Sequence, residues 1–294
     1  MTNPLPQRTK KYDSQTSFSK VWEQFEQRCG DVFICTPPKS GTTWMQTICG
    51  MLIFGDPSVN PGIGTTSRWL DSAFNDQEEV LEFLEAQTHR RYIKTHTPLD
   101  GITYDENCIY LAVYRHPIDV FFSGQNHMKN MKGDQFSHQI SDDINEGFQT
   151  FVSQPTSVTQ DIGDTLESLV NHYLSFAKWQ SLPNIHIFHY AEMTRDLRNA
   201  VSAVSDSLNC GFGDELIDAI TSAATFSKMK KNAAKYAPSA DRDIWKDNAQ
   251  FFESGTSNKW EGILNETSLS IYNNRMSELL APSDQKWFEF GVRG

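Results

Sequence analysis

The sequence predicts an α/β fold in a single domain, with a mainly parallel central sheet flanked by helices. Three observations predict it. Short apolar, β-rich runs alternate with amphipathic helical stretches along most of the chain, the pattern of βαβ units. One such run, Cys108 to Tyr114 (CIYLAVY), is apolar at every position, as a strand covered on both faces must be. A second run, Val32 to Cys35, passes through a proline- and glycine-bearing turn directly into a helical pattern. At 294 residues the chain suits one large α/β domain or two small ones, and the motifs below bind residues 1–294 into one.

Taken in order, residues 1–20 are polar and expected to be loosely held. Phe18, Val21, Trp22 and Phe25 space out a short amphipathic helix able to lean on the first strand. That strand is Val32 to Cys35. Thr36-Pro37-Pro38 then forbids helix until Ser40, and Gly41 lets the backbone close tightly. From Thr42 onward Trp44, Ile48 and Leu52 repeat as in a half-buried helix. Residues 55–66 form a loop. Ser67 to Phe74 carries Trp69 and Phe74, which either cap the core or wall a pocket. Glu78 to Gln87 is a helix with an apolar stripe at Val80, Leu81 and Leu84. Arg91 to Pro98 holds a short strand ended by proline. After the apolar strand 108–114, Pro117 suits the first turn of a helix. Residues 129–163 are polar and irregular, with scattered Phe136, Phe148 and Phe151, and read as a lid. Asp164 to Gln180 is helical, Asn184 to Tyr190 is a strand, and Asp196 to Leu208 and Asp214 to Ala223 are helices.

The chemistry gathers where strands end. A loop opening onto a helix N-terminus presents unpaired N–H groups and a positive dipole end, which attract anions. Lys39 adds a cation there, and Ser40, Thr42 and Thr43 add hydroxyl donors, so the turn is a phosphate cradle. It is not the Walker pattern, whose lysine follows its second glycine; here Lys39 precedes Gly41. Lys94 and His96 stand two apart, which in a strand puts both side chains on one face. Arg115 falls at the carboxyl end of the apolar strand, where open α/β sheets bind ligands.

Composition narrows the partners. A net charge of −11 argues against a nucleic-acid binder but leaves room for an anionic small molecule held by a few local cations. No apolar run approaches the roughly 20 residues of a membrane span, and the N-terminus lacks the apolar core of a signal peptide. Cys29, Cys35, Cys49, Cys108 and Cys210 show no metal-ligand spacing and read as thiols of a reducing cytoplasm. No metal is expected.

The run Pro38-Lys39-Ser40-Gly41-Thr42-Thr43-Trp44 after a strand resembles the 5′-phosphosulfate loop of the cytosolic-type sulfotransferase family, in a bacterial-like form. Four later segments match in order: Lys94-Thr95-His96, Arg115 with Ser123, Thr225-Phe226, and the stretch ending at Trp260. The resemblance implies 3′-phosphoadenosine 5′-phosphosulfate (PAPS, leaving as PAP) as sulfuryl donor. It implies His96 as the base and Lys39 as the cation that neutralises the leaving oxygen, with Lys94 on the sulfuryl or phosphate oxygens. Arg115 and Ser123 would hold the 3′-phosphate, and Trp44, Tyr190, Thr225 and Phe226 would surround the adenosine. The acceptor implied is a small or lipid-like molecule bearing a hydroxyl, a phenol or an alcohol.

Two departures stand out. The hydroxyl residue expected before Thr225 is Ala224, and the Arg-Lys pair expected on the 3′-phosphate is Glu253-Ser254, which leaves that contact to Ser254 and the Gly255 N–H. The dimer motif of animal members is not recognisable in residues 261–270, so the oligomeric state stays open. Two other readings remain: a non-catalytic nucleotide-binding protein of the same fold, supported by Glu253-Ser254, and a P-loop-like phosphotransferase. The latter needs a Mg²⁺-binding aspartate after an apolar strand, and neither Cys35 nor Tyr114 is followed by one.

Overall fold

The computed structural model describes residues 4–58, 63–133, 136, 139–236, 244–252, 258 and 260–292. Four parallel strands, β1 (Val32–Cys35), β2 (Tyr92–Thr95), β3 (Ile109–Tyr114) and β4 (Ile185–His189), form one sheet in the order β2-β1-β3-β4. All six residues of β3 are buried, as its unbroken apolar run requires.

Alternate strand residues feed two separate cores. Phe33, Cys35, Ile93, Tyr110, Ala112 and Tyr114 face one side, and Val32, Ile34, Tyr92, Leu111 and Val113 face the other. Helices α1 (Thr42–Phe54), α2 (Gln77–Glu85), α3 (Pro117–Asn130), α4 (Ile144–Ser153), α5 (Leu166–Ala177), α6 (Tyr190–Arg195), α7 (Leu197–Ser207), α8 (Asp214–Ala223) and α9 (Phe226–Lys231) follow in chain order. Short α10 (Ala233–Tyr236) and α11 (Asn248–Phe251) precede α12 (Glu266–Leu279) and α13 (Pro282–Phe290). The first core takes residues of α2 to α5, α12 and α13; the second takes residues of α1 and α6 to α9. Each large aliphatic or aromatic side chain so buried contributes about 1.5–3 kcal/mol.

Three expectations from sequence need correcting. Helix α1 is buried almost all round, from Met45 to Leu52, because it lies between the sheet and the later helices; half-burial was expected. Its Gly50 packs so closely on β2 that a Cβ there would sit 2.9 Å from the Tyr92 hydroxyl. The leading segment is tied down rather than loose. Thr9 and Lys10 donate backbone hydrogen bonds to the Asp100 carbonyl, Arg8 reaches the Gly101 carbonyl at 3.1 Å, and Tyr12 is buried. The stretch 129–163 contains a regular helix, α4, where irregular chain was expected. Asp143 caps it, and Phe148, Phe151 and Val152 form its buried face against α12 and Phe121 of α3. Those phenylalanines look scattered because their partners lie elsewhere in the chain, Phe121 upstream and Tyr272 of α12 far downstream. Neither α12 nor α13 was foreseen.

At the far end of the sheet from the cradle, Arg91 and Asp31 form a buried bidentate pair that ties the starts of β2 and β1 together. Residues 68–70 run beside β2, with the Leu70 N–H on the Lys94 carbonyl and the Lys94 N–H on the Arg68 carbonyl. Among the described residues no helix is long and apolar enough to cross a membrane.

Candidate active site

The carboxyl ends of all four strands converge, and each delivers a residue that the sequence singled out. The cradle follows β1, His96 follows β2, Arg115 follows β3, and Tyr190 follows β4. This is the crevice where parallel sheets bind ligands.

The cradle is strained where a ligand needs close approach. Lys39 has φ +64 and Gly41 φ +111, both left-handed, and a Cβ on Gly41 would lie 3.2 Å from Tyr190 Cδ2. Gly41 is the N-cap of α1 and offers no side-chain cap, so the first amides of the helix keep their donors for an anion. Ser40 and Thr42 are buried beside it, Thr42 sharing a hydrogen bond with Thr36, while Thr43 is half-exposed.

Lys39 Nζ lies 2.8 Å from His127 Nδ1 and 4.8 Å over the Phe251 ring. The ammonium must donate, so His127 carries its own hydrogen on Nε2. Burial and the neighbouring Lys39 hold His127 well below the usual imidazole range. His127 was not foreseen. It lies four residues beyond Ser123 and eight beyond Asp119, and that helical spacing was the available signal. Ser123 is half-exposed on the same helix, α3.

Arg115 is buried, with its guanidinium 4.6 Å over the Tyr190 ring and its Nη1 3.5 Å from the Lys39 carbonyl. Asp119 Oδ2 stands 4.0 Å from Arg115 Nε, and Asp119 Oδ1 accepts the Asn258 N–H at 3.0 Å. Trp44 packs edge-on against Tyr190 at 5.3 Å and donates its indole N–H to the Ala224 carbonyl at 2.8 Å. Ala224 is itself fully buried, so its methyl fills a site where a hydroxyl would need a partner. Thr225, half-exposed at the N-cap position of α9, donates its hydroxyl to the Ser222 carbonyl rather than capping the helix, and Phe226 packs 6.4 Å from Phe252. Glu253, Ser254 and Gly255 lie outside the described residues.

Lys94 and His96 do share a face, and Trp69 joins them. Lys94 Nζ sits 4.1 Å over the Trp69 ring, and the His96 ring meets the same indole edge-on at 4.7 Å. Burial lowers Lys94 to about 8, although Asp71 acts the other way. His96 is held well below the usual histidine range by burial and then by the Lys94 charge. Its Nδ1 bonds to the Thr36 carbonyl, which can only accept. The proton therefore resides on Nδ1, and the Nε2 lone pair is available to a substrate. Trp69 continues to Phe74 at 6.1 Å and Phe74 to Phe136 at 6.0 Å. Of the segment 67–74, Leu70 and Asp71 belong to the core, while Trp69 faces the site and Phe74 is exposed. Among the described residues no group of three or more His, Cys, Asp or Glu side chains is arranged to hold a metal ion.

The arrangement can bind a polyanion and take a proton beside it. The sulfotransferase domain family matches residues 30–284. A glycolipid sulfotransferase of Mycobacterium tuberculosis is 30% identical over 309 residues, covering 96% of this chain and 95% of that one. Human sulfotransferase 1C2 is 24% identical over 276 residues, 87% of each chain. Mouse sulfotransferase SULT7A1, solved with PAP, superposes with a TM-score of 0.71 at 20% identity over 90% of both chains. With the family covering most of its length, the chain belongs to the sulfotransferases.

Proposed function

We propose that this sulfotransferase moves the sulfuryl group of PAPS to the hydroxyl of a small or lipid-like acceptor, with His96 as the base. The observation that carries the reading is the His96 imidazole, neutral, fixed in its Nδ1–H tautomer, and set on the same sheet edge as the cradle. PAP is what the mouse sulfotransferase of this fold holds, and a glycolipid is what the mycobacterial relative's name gives as its substrate class. The residues here fit such a ligand: an uncapped helix N-terminus, two left-handed residues of which Gly41 is pressed against Tyr190, and the cations Lys39 and Arg115.

PAPS, when bound, supplies the sulfuryl group and carries away the leaving charge. The chain's own groups do the rest. His96 Nε2 takes the acceptor's hydroxyl proton. Lys39, together with the α1 amides, meets the charge that develops on departure, and Lys94 offers a second cation beside His96. Arg115, with Ser123, holds the remaining phosphate, a planar fork on a planar-faced anion. Trp44, Tyr190, Thr225 and Phe226 flank the base and ribose, and Ser254 with Gly255 completes the phosphate contact. Trp69 and Phe74 wall the acceptor, and the stretch 129–163 supplies the lid over it.

Incubation with ³⁵S-labelled PAPS and a panel of glycolipids, phenols, alcohols and amines tests the reading. Label should pass to a hydroxyl, and His96→Ala should lower kcat by about 10²–10⁴-fold while PAP binding stays nearly constant. No transfer to any hydroxyl, or wild-type turnover by His96→Ala, would overturn it.

A further inference from the structure

Asp71 lies two residues from Trp69 and carries no role so far. Its carboxylate is fully buried and accepts four hydrogen bonds, all from neutral donors. Oδ2 takes the Trp22 indole at 3.0 Å and the hydroxyls of Thr95 and Thr97 at 2.7 Å each. Oδ1 takes the Trp69 indole at 2.8 Å. Thr95 and Thr97 are the residues immediately before and after His96, and the Trp69 ring is the surface against which both His96 and Lys94 rest.

From this geometry we infer that Asp71 is the positioning residue of the reaction: it sets the Trp69 plane and the His96 backbone, and through them the places of the base and of Lys94. The inference rests on His96 being the base. Burying a carboxylate this deeply costs stability unless its lone pairs are filled, and here two indoles and two hydroxyls fill them. A carboxylate is the only side chain that can serve these donors at once. Asparagine has one acceptor oxygen, so whichever way it turns, one indole N–H meets its NH₂ group. The threonines can rotate to accept, but the indoles cannot. An asparagine that turns its oxygen to the three donors on the Oδ2 side abandons Trp69.

The two indoles separate the structural role from the positional one. Trp22 belongs to the core beneath Phe33, so Trp22→Phe should lower Tm and leave kcat alone. Trp69→Phe keeps a ring but loses the bond to Asp71, and should lower kcat about 10- to 100-fold with little change in Tm or in PAP affinity. Asp71→Asn should lower kcat as much. The double variant should be no slower than the worse single one, because Asp71→Asn keeps the two threonines and loses only the Trp69 bond that Trp69→Phe also removes.

A readout without donor or acceptor is the titration of the His96 imidazole by NMR. Lys94 from β2, Lys39 from the cradle, His127 from α3, His172 from α5 and the Thr36 carbonyl are the polar and charged groups around it, and with Trp69 in place it should stay neutral well below pH 6.5. Trp69→Phe, by admitting water, should bring it back toward 6.5. Wild-type kcat and an unmoved His96 titration in Trp69→Phe would overturn the inference, as would losses that multiply in the double variant. If Asp71→Asn does not fold, Trp69→Phe decides alone. Inactivity of His96→Ala beside an unimpaired Trp69→Phe refutes only this inference; an active His96→Ala refutes the base assignment and this inference with it.

Discussion

Lys94 shows how one side chain's surroundings set its working range. Its ammonium lies over the Trp69 ring, and burial lowers it to about 8 despite the Asp71 charge. An amine there loses its proton within two units of neutrality, and an uncharged Lys94 no longer attracts an anion. The value kcat/KM for PAPS should therefore fall as pH rises through about 8, since that ratio reports the free enzyme. Lys94→Arg should lose the alkaline fall, because a guanidinium stays charged throughout. A rate profile on the arginine variant checks this; an unchanged limb would assign the titration to another group. Lys39 differs in that its charge is presented by hydrogen bonding: His127 accepts from it, and Phe251 backs it.

Between β1 and α1 the chain stores strain to make an anion site. Lys39 and Gly41 are both left-handed, and Gly41 is pressed on Tyr190, which itself stacks under Arg115 and against Trp44. Gly41→Ala places a methyl 3.2 Å from Tyr190 Cδ2 on backbone that L residues rarely adopt, at a cost of about 1–3 kcal/mol. Tm should drop, and calorimetric PAP affinity should fall at least tenfold, because the α1 amides and the Tyr190–Arg115 stack shift together. Unchanged affinity would show that the loop yields without moving them. Trp44, by bonding the Ala224 carbonyl, ties the same helix to the α8–α9 turn.

Over the whole molecule, stability should be sensitive to acid well above the carboxylate range. His96, His127, His172, His116 and His189 are all held below the usual 6.5, chiefly by burial, with His116 and His172 at about 3 and His189 at about 4. Each folded pKa is below its unfolded value. Between the two, the unfolded chain binds protons that the native one refuses, so stability is complete above about 6.5 and is lost as pH falls below it. Asp164, pushed up to about 7, and Glu289, raised by burial, work in the opposite sense but are outnumbered. Differential scanning calorimetry should show Tm level near pH 7.5 and declining steadily from 6.5 to 5. A flat profile across that interval would mean these imidazoles titrate normally.

The sequence alone determined the strand ends and what stands on them, because local chemistry dictates both. The Pro37-Pro38 pair and Gly41 permit only a turn, the apolar run 108–114 only a buried strand, and the parallel topology then brings Lys39, His96, Arg115 and Tyr190 to one edge. What the tertiary structure decided was everything that depends on distant partners. His127 meets Lys39 across 88 residues, Asp71 gathers Trp22 across 49 and Thr97 across 26, and α4 finds its cover in α12. A histidine on a helix and an aspartate in a loop carry no local mark of such roles. Spacing fixes which face a residue is on, but only packing chooses what it will face there.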